Sequence, residues 1–133
     1  MPRSLALITL IAPDFDEAIA WFTEALGFTL EADIPLPDHK RWVVLAPDKG
    51  AGARLLIAQP GDARQSARVG DQTGGRVGFF LHTDNFAADH AAMLAKGVRF
   101  LEAPRHESYG VVAVFEDFLG NRWDLLQPVE RQE

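Results

Sequence analysis

The sequence predicts an α+β protein made of two copies of one βαβββ unit. Three observations carry this. A strand-like phrase occurs twice: residues 52–60 read GARLLIAQP, residues 120–128 read GNRWDLLQP, and the two align without a gap. A helix-like stretch also occurs twice, DFDEAIAWFTEALG over residues 14–27 and DNFAADHAAMLAKG over residues 84–97. β-type runs flank each helix in the same order. Recurrence of a whole supersecondary unit at fixed spacing marks a repeat architecture.

Each copy opens with an apolar, β-type run, residues 5–11 and 77–83. The helix comes next. Asp14 and Asp84 are suited to the N-cap, and Gly27 and Gly97 to the helix stop. Glu17 lies three residues after Asp14, the spacing of a capping box. Phe15, Ala18, Ile19, Phe22 and Leu26 recur at helical spacing and give one apolar face. The second helix is weaker, with Phe86, Met93 and Leu94 among alanines. A short strand follows, residues 28–32 and 98–102, and then a longer one, residues 41–45 and 111–115. The repeated phrase supplies the last strand.

Two regions lie outside this core pattern. Residues 60–75 (PGDARQSARVGDQTGG) are polar and longer than most connections, so they act as a linker or as a lid with a short helical turn. The loops at residues 34–40 and 103–108 form an equivalent pair, and each places a histidine three residues before an aromatic: His39 before Trp42, His106 before Tyr109. Loops on a rigid sheet often carry recognition groups; solvated hairpin turns are the plainer alternative.

Composition narrows the function. A chain of 133 residues buries roughly two thirds of its unfolded surface, enough for an independent core. The expectation is one domain over residues 1–133, made of repeats at about 3–60 and 75–129. A formal charge of −6 without any basic run argues against a nucleic-acid partner. With no cysteine, disulfides, thiolate catalysis and cysteine metal sites are excluded. No leader-like or membrane-spanning apolar run is present, so a cytoplasmic protein is expected.

One position breaks the repeat. Leu56 in the first copy aligns with Asp124 in the second, an acid in an otherwise apolar strand. A buried carboxylate needs a partner, and a salt bridge or hydrogen bond to a neighbouring strand, involving Arg41, Arg54 or Arg122, is the plain expectation. Strand alternation puts Asp124 and Leu126 on one face and Trp123 and Leu125 on the other.

The doubled unit, the phrase DFDEAIAWFTEALGF ending at Phe28, and the ending FEDFLGNRWDLLQP with its D-x-x-GN turn from Asp117 to Asn121 resemble the vicinal oxygen chelate superfamily. That group includes glyoxalases, bleomycin-resistance proteins and extradiol dioxygenases. The resemblance covers nearly the whole chain. It implies an open, cup-shaped barrel of eight strands with helices outside, a small-molecule ligand in the interior, and a homodimer.

Metal-dependent members of that group place His or Glu ligands on the first and last strands of each copy, where a divalent cation acts as a Lewis acid. Here those positions fall on Leu7, Leu56, Gly78 (Val77 if the register slips) and Asp124. Three of the four carry no donor, so the usual metal centre is not expected and no cofactor is required. A rearranged centre would draw on Asp124 and His82, which are also the catalytic candidates, with His39, His106 or Glu107 from the loops. The alternative for His82 is a strand end turned to solvent. The candidate ligand contacts are Arg41, Trp42, Phe80, His106 and Tyr109; Arg41 beside Trp42 suits a ring bearing an anionic or carbonyl group. If Asp124 faces the cavity, Trp123 packs beneath the helix. Two functions follow. One is a metal-free binding protein for a small organic molecule. The other is a lyase, isomerase or dioxygenase with a rearranged metal site. A scaffold role with an empty cup is a third.

Overall fold

The computed structural model describes residues 1–130. The chain divides into two compact units, residues 1–69 and from Gly70 on. Each contains one βαβββ repeat, so the α+β class and the doubled unit are as the sequence predicts.

In the first unit β1 (Leu7–Ile11), α1 (Phe15–Ala25), β2 (Thr29–Pro35), β3 (Arg41–Ala46) and β4 (Arg54–Ala58) follow in order. The sheet order is β1-β4-β3-β2, with β1 parallel to β4 and the other pairs antiparallel. The Asp14 carboxylate caps α1 by accepting from the Glu17 N–H at 3.0 Å. Gly27, at φ 70°, closes the helix in a conformation that favours glycine. The buried α1 residues Phe15, Ala18 and Phe22 pack with Leu10, Val43, Leu45, Leu55 and Ile57, the buried alternate positions of β1, β3 and β4. The linker begins with a four-residue helix, α2 (Ala63–Ser66), capped by Asp62.

In the second unit β5 (Val77–His82) and α3 (Phe86–Ala95) precede β6 (Arg99–Phe100), β7 (Arg105–Glu107), β8 (Gly110–Glu116) and β9 (Arg122–Pro128). The sheet order is β5-β9-β8-β6, with β7 also paired to β8. β9 is therefore internal, parallel to β5 and antiparallel to β8. The side facing α3 is filled by a run of rings: Phe86, His90, Phe100, Phe115, Trp123 and Phe79, each 4.5 to 5.8 Å from the next. Trp123 thus lies in the core on the helix side, as alternation anticipates.

Three details differ from the sequence-based boundaries. The α3 N-cap is Asn85, not Asp84; the Asn85 side chain accepts from the Ala88 N–H at 3.2 Å. The first copy's short strand runs on through Pro35, so its loop shortens to residues 36–40. In the second copy the same strand is cut into β6 and β7, giving nine strands among the described residues. Both copies lose register at the same place. Leu30 pairs with Leu45 before a bulge, and Phe100 pairs with Phe115 before the break. In the second copy the chain there includes Pro104, which has no N–H to give to a ladder. The Glu102 carboxylate fills the gap by accepting from the Val114 N–H at 2.9 Å.

Candidate functional site

Around the position that breaks the repeat, the pairing registers of the two units coincide. In the first unit Leu56 lies between Thr9 and Val44; in the second Asp124 lies between Phe80 and Val114. The two places are structurally equivalent, and only one holds a charge. The register at the start of the first strands also becomes definite. Leu7 stands opposite Arg54, and Val77 stands opposite Arg122, with Gly78 the extra residue before Phe79. Val77 is therefore the counterpart of Leu7. A Cβ on Gly78 would run into the Thr73 side chain.

Asp124 projects from the face of its sheet opposite Trp123 and Leu125. It is only 9% exposed, and its Oδ1 has no hydrogen-bond partner. The three arginines proposed from sequence do not supply one. Arg41 is bound to Asp33 and Asp16, and Arg54 to Glu31; Arg122 is exposed on β9. The cation that acts on Asp124 is Arg105. Burial pushes the Asp124 carboxyl above the usual aspartate value; the Arg105 charge opposes that shift and Glu102 reinforces it.

Arg105 is itself already engaged. Its Nε donates to Glu102 Oε1 at 2.9 Å and its Nη1 to Glu107 Oε1 at 3.0 Å. Hydrogen bonds to Glu102, Glu107 and Tyr109 hold its pKa above the ordinary arginine value. Arg105 and Glu102 are the site residues that sequence reasoning missed. The signal lay in the register: Arg105 pairs with Val112, the place where Ile34 pairs with Trp42 in the first copy. The extra residue between β6 and β7 hides that match in a gapless alignment.

The expected ligand contacts separate into three groups. Phe80 joins Asp124: it sits directly opposite on β5 and is 61% exposed. His82 is one step further on the same face, opposite Leu126, and exposed. Tyr109 reaches this group through Arg105. His106 belongs to the other face. It pairs with Val111, whose β9 partner Gln127 accepts from the Phe86 N–H at the start of α3. His106, Val111, Gln127, Pro128 and Val129 line a depression of ≈ 290 Å³ there.

Arg41 and Trp42 do not act as a pair, which corrects the expectation of a joint contact. Successive strand residues face opposite ways. Arg41 turns to α1, bridging Asp16 and Asp33 and lying 5.2 Å over the Phe15 ring. Trp42 points to the opposite side, beside Ile34 and half-exposed. His39 lies in the β2–β3 turn at φ 60°.

A metal centre does not fit this donor set. Leu7, Leu56 and either Gly78 or Val77 offer no ligand, and one carboxylate cannot satisfy a divalent cation. Among the described residues no group of three or more His, Asp or Glu side chains is placed to hold a metal ion. No three of Asp124, His82, His39, His106 and Glu107, the set considered for a rearranged centre, form such a group.

The arrangement defines a class: a duplicated βαβββ protein with a desolvated carboxylate and an exposed ring on one sheet face. Comparison with known proteins identifies the family. Residues 4–125 match the Glyoxalase/Bleomycin resistance protein/Dioxygenase superfamily, and the chain belongs to it. An uncharacterized protein of Shewanella frigidimarina is 42% identical over 133 residues, covering 99% of this chain and 98% of that protein. The crystal structure of UcmS2 is similar with a TM-score of 0.81 and 29% identity, covering 95% of this chain and 98% of that one. TnmS3, described as an antibiotic binding protein from Streptomyces sp. CB03234, gives a TM-score of 0.77 and 30% identity, covering 96% and 98%. Among the described residues no helix is long and apolar enough to cross a membrane.

Proposed function

We propose that this chain is a metal-independent binding protein for a small organic molecule, held on the second unit's open sheet face by Asp124 and Phe80. The observation that carries the reading is the buried Asp124 Oδ1 without a hydrogen-bond partner, next to Phe80, a residue 61% exposed. An unmet buried acceptor costs stability, and each one in a folded protein calls for an explanation. A ligand N–H or O–H supplies the missing bond, and Phe80 supplies a surface for stacking. The likeness to an antibiotic binding protein supports this reading. The donor set argues against the alternative, a metal-dependent lyase, isomerase or dioxygenase. On the likeness to the family we also take the two repeats as one domain, the protein as cytoplasmic, and its assembly as a homodimer, which light scattering on purified protein tests.

A thermal-shift screen against a library of aromatic natural products tests the binding reading, because a ligand of the native state stabilises it by mass action. We expect hits whose stabilisation is lost in Asp124→Leu and reduced in Phe80→Ala. Elemental analysis of the same preparation is the counter-test. Stoichiometric divalent metal that disappears in Asp124→Ala overturns the reading and restores the metal-dependent enzyme.

A further inference from the structure

We infer that the molecule taken up at Asp124 is a cation: a planar aromatic compound carrying a protonated nitrogen. This rests on the binding reading above and specifies its ligand class. Three features of the face point to it.

First, the carboxylates around Asp124 exceed the cations. Arg105 contributes one positive charge, and its partners Glu102 and Glu107 contribute two negative ones. With Asp124 the cluster carries more negative than positive charge. Arg105 is spent: both carboxylates already accept from its guanidinium, and Tyr109 bonds to it as well. It has little left to offer an anionic ligand.

Second, the unmet atom is an acceptor and is almost fully removed from water. Asp124 is more than nine-tenths buried, and no side chain donates to Oδ1. A desolvated carboxylate gains most from a charged donor, since bonds between ionised partners are shorter and roughly twice as strong as neutral ones. An anionic ligand would meet Asp124 and Glu102 at close range and be repelled.

Third, the aromatic surface beside it suits a cation. Phe80 is the direct cross-strand neighbour of Asp124 and presents an exposed ring. A ring face attracts positive charge through its quadrupole and also stacks on a flat ligand. Remaining charges on this face lie further along the sheet: Arg99 and Glu116 face each other at 3.8 Å, and Arg122 and His82 are exposed to solvent.

The experiment compares three tricyclic probes by calorimetry and fluorescence: proflavine, a planar cation at slightly alkaline pH; acridine, neutral there; and anthracene carboxylate, an anion. Proflavine is expected to bind at least about tenfold more tightly than acridine, the scale of one charge-assisted bond, and the anion more weakly still. In Asp124→Asn the proflavine advantage over acridine disappears. In Phe80→Ala both probes weaken, proflavine more than acridine, because the ring's attraction for the cation is lost along with the stacking. Acridine or the anion binding wild type as tightly as proflavine overturns the inference, as does an unchanged ratio in Asp124→Asn. If the library screen yields neutral or anionic ligands and proflavine does not bind, the cation assignment fails and the binding reading stands. If neither the library nor any probe binds folded protein, the binding reading fails as well.

Discussion

Asp124 and Phe80 stand opposite each other across the parallel β5–β9 ladder, the aspartate 9% exposed and the phenylalanine 61% exposed. In the first copy the same two places hold Leu56 and Thr9. Backbone pairing is alike in both halves; what differs is that the second copy buries a charge and exposes an aromatic. Both choices run against stability, and that inversion on paired residues is what supports our proposal that this face takes a ligand.

If Asp124 Oδ1 is unmet, then copying the first unit's residue into the second should stabilise the protein. Asp124→Leu is expected to raise stability by about 1 to 3 kcal/mol, the usual cost of an unsatisfied buried polar group, while abolishing ligand binding. Urea denaturation reads this as a higher midpoint at an unchanged slope. A fall of similar size would mean that Asp124 has a structural partner and is not a ligand acceptor.

The same burial fixes a pH signature. The folded-state pKa of Asp124 is raised, so the native state binds its proton more readily than the unfolded state does. Its cost is therefore fully present above the raised folded value and is relieved as pH falls through that value to the unfolded one. The groups on the same face are Arg105, Glu102, Glu107, His82, Glu116, Arg122 and Arg99, and all remain in the variant. The stability gain of Asp124→Asn over wild type is thus expected to be largest near neutrality and to shrink through the carboxylate range. Paired melts across pH check this; a gain that grows on acidification contradicts it. Glu31 and Asp33, whose pKa values are lowered by Arg54 and Arg41, lose stability on acidification in both proteins alike and cancel in the difference.

Much of this was legible in the sequence because the repeat is written in backbone signals. The caps, the glycine stops and the alternation around Asp124 each depend on neighbours within a few residues, and each led to the right element or face. The partners of Arg41, Asp16 and Asp33, come from α1 and β2, contacts that no local pattern encodes. Arg105 is hidden because one extra residue between Phe100 and Arg105 shifts its register against the first copy. The burial of Asp124 and the loss of its partner were not legible at all: they depend on which arginines reach it, and that is settled by the packed sheet.

The D-x-x-GN turn gives a contrasting carboxylate. Asp117 is even more deeply buried than Asp124 and fully partnered. Its Oδ1 accepts from the Leu119, Gly120 and Asn121 N–H groups, each at 3.0 Å. Its Oδ2 accepts from Asn121 Nδ2 at 3.1 Å and Trp123 Nε1 at 3.0 Å. An asparagine there turns one acceptor into a donor facing donors. Asp117→Asn is expected to cost about 3 kcal/mol, whereas Asp124→Asn is neutral or stabilising. Denaturation of the two variants side by side decides it, and equal signs would show that burial alone, not partnering, governs both sites.

The linker's second half is held to this same turn. The Gln72 N–H donates to Asn121 Oδ1 at 3.2 Å. Gly70 sits at φ 74°, and a Cβ there would collide with the Leu119 carbonyl. A lid that swung as a whole from Pro60 to Gly75 would have to break this contact. Gly70→Ala suffers both the left-handed backbone and the clash, so it is expected to cost about 2 kcal/mol or more. Gly27 shares the left-handed conformation, at φ 70°, but has open space around it. Gly27→Ala should cost only about 1 kcal/mol. The difference between the two isolates the contact of Gly70 with the turn. Hydrogen exchange then locates it: Gly70→Ala should raise exchange at Gln72 and across residues 117–121, with α1 unaffected. Equal costs for the two glycines, or unchanged exchange at the turn, would show that the linker is not anchored there and is free to move as one piece.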